Sequence, residues 1–263
     1  IPQSTEDVRK VLDFTRQKDI PLTVLGNGSN VLVRDKGIRG IVLKLGNALK
    51  SREQKGNRFT FGCGIALAQC SRIIGEAGFS GMEFAVGIPG SLGGALYMNA
   101  GAYGGEMKDV VVAASVMDRR GEIRVLSAEE LQLSYRHSVL QEGGRIVLDI
   151  TLEVVPANGA EVLAKMEELS QRRISKQPLE MPSAGSVFKR PEGCFVGPLI
   201  EKAGLKGFRI GGAQISVKHA GFIVNAGNAT AADVLALISY IRNKIWTDYQ
   251  VQLKPEVLII GEE

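Results

Sequence analysis

The sequence predicts an α+β protein in two portions, and three observations carry that reading. The first portion mixes amphipathic helices with short apolar strands joined by polar turns, the pattern of an α+β domain with two small sheets. Pro156-Ala157-Asn158-Gly159 is the sharpest punctuation in the chain and divides it into residues 1–157 and 158–263. Glycine is unevenly spread: seven of the nineteen residues from Gly87 to Gly105 are glycine, a density that means backbone held in tight turns or pressed against a ligand.

The elements come in a clear order. Ser4 with Asp7 resembles a capping box, and Val8, Val11 and Leu12 at helical spacing continue the helix until Pro21 stops it. Leu22–Leu25 reads as a short buried strand, succeeded by the loop Gly26-Asn27-Gly28-Ser29-Asn30, the apolar Val31–Val33 and a strand at 41–45. Arg58–Gly62 alternates as a strand does, 66–77 is helical, and 110–117, 122–126 and 146–155 are strands. Beyond the break, 161–176 is a helix with Val162, Met166 and Leu169 inward, and 177–197 is rich in Pro, Gly and Ser with a strand-like 186–189 inside it. Thr230 caps a long helix carrying Val234, Leu237, Ile238, Ile241, Ile245 and Trp246, and 255–260 closes the chain as a strand.

Composition narrows the function classes. With 44% apolar and 23% charged residues the chain is a folded globule, and a net charge of +4 is too weak a bias for a nucleic-acid binder. No run approaches the ~18 apolar residues of a membrane span. Three cysteines without a CxxC pair and two histidines exclude a disulfide framework and leave no zinc set, so no metal is expected and the setting is reducing and cytoplasmic. The chain opens on Ile1 in place of Met, which points to residues missing upstream. Between Arg172 and Lys218, nine Lys/Arg face three Asp/Glu, giving +6 where the rest sums to −2. That stretch is either a solvated basic face or a site for a polyanionic small molecule such as a diphosphate.

Three glycine-rich segments suit a nucleotide cofactor. A strand ending in Gly26-Asn27-Gly28-Ser29-Asn30 offers consecutive backbone N–H groups with short hydroxyl and amide donors, the chemistry of a pyrophosphate cradle or of a plain turn. Gly87-Ile88-Pro89-Gly90-Ser91-Leu92-Gly93-Gly94 and Asn99-Ala100-Gly101-Ala102-Tyr103-Gly104-Gly105 flank a short apolar stretch, as a ligand lying on bare backbone or close subdomain packing requires. GxGxxG is absent, and no Gly-Lys dipeptide exists for a Walker loop.

These segments, in this order, resemble the FAD-binding segments of the UDP-N-acetylenolpyruvoylglucosamine reductase family. Tyr135-Arg136-His137-Ser138, Ala184-Gly185-Ser186-Val187-Phe188-Lys189, Gly204-Leu205-Lys206-Gly207 with Ile210-Gly211-Gly212-Ala213, and Pro255-Glu256-Val257 match the rest of its pattern, so the resemblance covers essentially the whole chain. It implies a vanillyl-alcohol-oxidase (PCMH) type FAD domain over 1–157 and a substrate domain over 158–263. It further implies that NADPH reduces FAD, which passes hydride to the enolpyruvyl group of a UDP-sugar to give UDP-N-acetylmuramate. Residues implied to hold FAD are Gly26, Asn27, Gly28, Ser29, Asn30, Gly87, Ile88, Gly90, Ser91, Gly93, Gly94, Asn99, Gly101, Ala102 and Tyr103.

The same resemblance assigns Arg136 to the enolpyruvyl carboxylate, Ser186 to proton donation and Glu256 to the C-terminal catalytic glutamate. Lys176 corresponds to the lysine that meets the substrate diphosphate, His219 falls where relatives place a polar substrate contact, and Lys189 or Arg190 could polarise the Ser186 hydroxyl. The physical logic agrees: charge developing beside a carboxylate needs a fixed guanidinium, and quenching it needs a nearby acid. The family carries further N-terminal residues with a Gly-Gly segment, so the chain begins inside the first FAD subdomain. No tyrosine lies between Arg136 and Ser186, which marks the subclass lacking the tyrosine loop, with Arg190 a candidate for part of that job. The reading expects a monomer acting on a small molecule, away from nucleic acid and membrane. Two alternatives compete with it: an FAD oxidase of the same fold acting on a hydroxy acid or alcohol, and a binding module that uses the basic stretch without turnover.

Overall fold

Ser4 accepts a hydrogen bond from the Asp7 amide and opens the helix Thr5–Lys18, which buries Val8 and Leu12. The computed structural model of the chain describes residues 1–46, 49 and 51–263. Two units separate, one of residues 1–27 and 40–172, the other of residues 28–39 and 173–263.

In the first unit, Leu22–Leu25 pairs in parallel with Ile41–Lys44. The two small sheets expected here are instead one five-stranded antiparallel sheet, accompanied by two-stranded pairs. Its order is Ile123–Ser127, Val111–Asp118, Arg145–Glu153, Arg58–Gly62 and Arg52–Lys55. The strands share one sheet because their apolar faces serve one core: Phe59, Phe61, Val116, Met117, Ile150 and Leu152 are all fully buried. Arg52–Lys55 has no apolar residue to betray it in the sequence. It forms because it pairs with Arg58–Gly62 across a tight turn at Gly56, and its charges suit an edge that must not recruit another strand.

The glycine-dense segment holds a helix that periodicity could not reveal, Leu92–Tyr97, which lies against Arg58–Gly62 and Arg145–Glu153 and beside the helix Leu67–Glu76. Pro156-Ala157-Asn158-Gly159 leads directly into the helix Gly159–Lys176, and the division between the units falls inside that helix. Val162, Met166 and Leu169 are its buried residues, as their spacing predicts. Gly75 explains the close seat: a Cβ there would lie 3.0 Å from the Met166 methyl group.

In the second unit Ser183–Ser186, Phe222–Asn225, Ala213–Ile215 and Arg209–Ile210 form a four-stranded antiparallel sheet in that order. The expected strand at 186–189 is thus displaced towards the N-terminus. The helix Ala231–Tyr249 buries Leu237, Ile238, Ile241 and Ile245 in this unit's core, beneath a Thr230/Asp233 capping box. Residues 28–39 are fastened here: Val31–Val33 pairs in parallel with Leu258–Ile260, and the Asp35 carboxylate accepts the Ala231 and Ala232 amides at 2.7 and 2.9 Å. No helix among the described residues is long and apolar enough to cross a membrane.

Candidate active site

Main-chain pairing orders the glycine segments of the first unit. Gly93 and Leu92 donate to the Cys63 and Ile65 carbonyls (both 2.9 Å), and Leu67 donates to Gly90 (3.0 Å). Gly26 closes on the same place: a Cβ there would sit 2.4 Å from Ser91 Oγ, which is already capping the Gly94 amide. The first and second segments are therefore neighbours through Gly26 and Ser91, and only glycine permits it. The third is a hairpin, Gly101–Ala102 against Gly105–Glu106, whose two turn residues Tyr103 and Gly104 both have positive φ (54° and 92°), as a type I′ turn demands. The Arg172 guanidinium lies over the Tyr103 ring, 5.3 Å from its centroid.

Asn99 is wholly buried with φ 42° and spends its side chain inside the protein. Its Nδ2 donates to Glu106 Oε2 (2.8 Å) and Ser134 O (2.9 Å), while Oδ1 accepts from Lys108 N (2.9 Å). Its backbone amide is spent as well, donating to Leu96 O (3.1 Å). At Gly28 (φ 71°) and Gly104 (φ 92°) nothing lies within 4 Å of the place a Cβ would take, so each presents bare main chain to open space.

Arg136 stands at the tip of a four-residue turn in which Ser134 and His137 exchange backbone hydrogen bonds of 3.2 and 3.0 Å. Its φ is 54°, a left-handed backbone that costs an ordinary residue about 1–2 kcal/mol. The side chain is half-buried, with its guanidinium 5.1 Å from the centroid of the Tyr135 ring. Gln141 Nε2 donates to the Arg136 carbonyl (3.1 Å) and to Tyr97 O (2.8 Å), and Ser138 Oγ also donates to Tyr97 O (2.7 Å).

In the second unit the structure brings Ser186 and Glu256 onto neighbouring chain segments. Pairing with Phe222–Asn225 shifts register between Ser183 and Ser186, a bulge made possible by Gly185 at φ 78°, and Ser186 is exposed beside it. Val187, next in sequence, accepts the Glu256 amide at 2.7 Å. Asn30 Nδ2 donates to the Glu256 carbonyl (3.1 Å), so Gly28, Ser29 and Asn30 of the first glycine loop run beside the glutamate. Lys189 is held through its amide on Lys254 O (2.9 Å), and the Arg190 guanidinium stacks 3.8 Å from the centroid of the Phe195 ring. Lys176 is exposed at the last position of the helix Gly159–Lys176.

His219 belongs to the same hydrogen-bonded run. Its Nδ1 accepts the Gly221 amide (3.1 Å), and Gly221 O accepts the Val187 amide (3.0 Å), so the ring braces the peptide that holds the Ser186 segment. Burial holds the imidazole pKa below its ordinary value, helped by Lys206 and opposed by a backbone hydrogen bond and Glu201. A lowered pKa means that the unfolded chain binds more protons, so the stabilisation is complete above the ~6.5 of free imidazole and is lost as pH falls through the folded value. The melting temperature should therefore drop on acidification from pH 7 more in the wild type than in His219→Asn, whose amide oxygen can replace Nδ1. Equal acid sensitivity of the two proteins would exclude this assignment. Two of the three cysteines are inert by burial, which pushes the Cys63 thiol up to about 12 and raises that of Cys70 as well.

Sequence reasoning missed Gln141 and the link from Asn30 to Glu256. For Gln141 the sequence offers no signal beyond a polar residue after the apolar pair Val139-Leu140. For Asn30 there is none, because its partner lies 226 residues away.

Comparison with known proteins finds likeness over the whole chain. Residues 1–127 match the model of an FAD binding domain, and residues 177–260 match that of the UDP-N-acetylenolpyruvoylglucosamine reductase C-terminal domain. The UDP-N-acetylenolpyruvoylglucosamine reductase of Latilactobacillus sakei subsp. sakei (strain 23K) is 50% identical over 263 residues, covering all of this chain and 86% of that protein. That of Lactobacillus acidophilus (strain ATCC 700396 / NCK56 / N2 / NCFM) is 51% identical over 262 residues, covering all of this chain and 88% of its own length. Among solved structures, the UDP-N-acetylenolpyruvylglucosamine reductase from Thermus caldophilus superposes with a TM-score of 0.83 at 36% identity, covering 97% of this chain and 89% of that one.

Proposed function

The chain belongs to the UDP-N-acetylenolpyruvoylglucosamine reductase family, and from that premise we propose how its own residues divide the work. It is an FAD-containing oxidoreductase that reduces the enolpyruvyl group of UDP-N-acetylglucosamine-enolpyruvate to give UDP-N-acetylmuramate, a precursor of peptidoglycan. The observation that carries this is likeness at about half identity over the entire chain, with both the FAD-binding and the C-terminal family models matched. That favours the reductase over an oxidase of the same fold or a binding module.

When bound, FAD supplies a hydride carrier between NADPH, the proposed electron source, and the alkene. Everything else falls to side chains and main chain. The backbone of Gly26–Asn30, Gly87–Gly94 and Asn99–Tyr103 would hold the cofactor, with the open faces of Gly28 and Gly104 supporting that role. Arg136 would grip the substrate carboxylate and offset negative charge that develops beside it, which a planar, permanently charged fork does well. Ser186, exposed beside its bulge, would give the proton that completes the saturated carbon, with Lys189 or Arg190 polarising the hydroxyl. Glu256, kept protonated, would hydrogen-bond the enolate-like species that forms as the alkene is reduced. Lys176 and its basic neighbours would bind the diphosphate. The buried thiols of Cys63 and Cys70 suit a reducing cytoplasm, and we read the enzyme as a monomer.

Two outcomes are expected. Acid denaturation should release FAD into the supernatant, since no covalent attachment is proposed, and flavin retained in the precipitate would contradict that. Lys176→Ala should raise KM for the UDP-sugar with a smaller effect on kcat, because a diphosphate contact is made alike in ground and transition states. A collapsed kcat at unchanged KM would place Lys176 among the catalytic groups.

A further inference from the structure

We propose that Gln141 is a positioning residue which fixes the direction of Arg136 and thereby sets the enzyme's preference for ligands that carry the carboxylate. The inference rests on the reading of Arg136 as the carboxylate holder. Arg136 has a left-handed backbone at φ 54°, a conformation side chains avoid. Relaxing it to negative φ would swing its Cβ and carry the guanidinium away. Opposing that relaxation are the reciprocal bonds of Ser134 with His137, the Asn99 amide on the Ser134 carbonyl (2.9 Å), and the Gln141 amide on Arg136's own carbonyl (3.1 Å).

Gln141 does more than close a turn. Its Nε2 spans from Arg136 O to Tyr97 O (2.8 Å), the last residue of the helix Leu92–Tyr97. That helix begins at Ser91, the residue against which Gly26 packs. One amide thus ties the arginine backbone to the element that carries two of the glycine segments. Tyr97 O has a second donor, Ser138 Oγ at 2.7 Å, so the loss of Gln141 leaves that end tied and falls on Arg136.

The test compares two ligands on the FAD-loaded, oxidised enzyme by calorimetry: UDP-N-acetylmuramate, which bears the carboxylate, and UDP-N-acetylglucosamine, which lacks it. Gln141→Met keeps an unbranched side chain of similar length and removes both donors. It should weaken UDP-N-acetylmuramate roughly ten-fold, the scale of a released left-handed residue, and leave UDP-N-acetylglucosamine within about two-fold. In an Arg136→Lys background the same change should add less than about two-fold, because both act through one contact. Flavin stoichiometry and melting temperature report folding, and Gln141→Glu, which presents acceptors to two carbonyls, serves if the methionine variant does not fold. Unchanged affinity for UDP-N-acetylmuramate, or equal weakening of both ligands, would overturn the proposal. If Arg136→Lys itself leaves discrimination intact, the reading of Arg136 has failed instead.

Discussion

Ser186→Ala is expected to leave the anaerobic bleaching of the bound flavin by NADPH near the wild-type rate. The return of colour on adding the enolpyruvyl sugar should slow by ~10²–10⁴-fold, the usual cost of a lost general acid. The split follows from the proposed duty, since a proton donor to the saturated carbon has no part in cofactor reduction. Ser186 is exposed beside a bulge that depends on Gly185 at φ 78°, so its side chain is presented and not packed. For that reason alanine should preserve the fold, and retained flavin checks it. Ser186→Cys should keep more activity, because a thiol can still donate. Turnover by Ser186→Ala within a few-fold of wild type would remove Ser186 from the mechanism.

The second large effect is expected at Arg136. A donor fixed on developing negative charge is worth ~10²–10³ in rate, and Arg136→Ala should lose about that much in the enolpyruvyl half-reaction, with weaker binding of the carboxylate-bearing sugar. Arg136→Lys should recover only part of it, because a point charge on a flexible stem cannot reproduce the planar fork. Arg136 is half-buried on a left-handed turn, so its backbone is held against its own preference. A lysine variant with wild-type rate would mean that charge alone matters and that the turn geometry has no part.

Much of the fold is legible because local signals and tertiary burial agree. Ser4 and Thr230 cap their helices as the sequence predicts, and the buried residues Val162, Met166 and Leu169 follow from spacing alone. Where the sequence misleads, a long-range constraint overrides the local one. Arg52–Lys55 becomes a strand because Arg58–Gly62 supplies its partner, and the helix Leu92–Tyr97 forms in a glycine-rich run because Ser91 caps it and the sheet supports it. The proposed roles of Arg136, Ser186 and Glu256 come from motif resemblance, whereas periodicity says nothing of them. The duties of Asn30, Asn99 and Gln141 depend on carbonyls far along the chain: the Asn30 and Asn99 amides hold Glu256 O and Ser134 O, and Gln141 holds Tyr97 O as well as Arg136 O. No reading of isolated segments could place those partners. His219 shows the same limit, since its ring supports the Gly221 peptide through Nδ1.

A single anaerobic experiment bears most directly on the central claim. The flavin-loaded enzyme is bleached with one equivalent of NADPH, mixed with UDP-N-acetylglucosamine-enolpyruvate, and followed at the flavin absorbance while the nucleotide products are separated. The account predicts stoichiometric return of the oxidised spectrum with formation of one equivalent of UDP-N-acetylmuramate. A spectrum that stays bleached with the enolpyruvyl sugar but recovers on admitting oxygen, in an enzyme that a hydroxy acid or alcohol can reduce, would contradict it and identify an oxidase on the same fold.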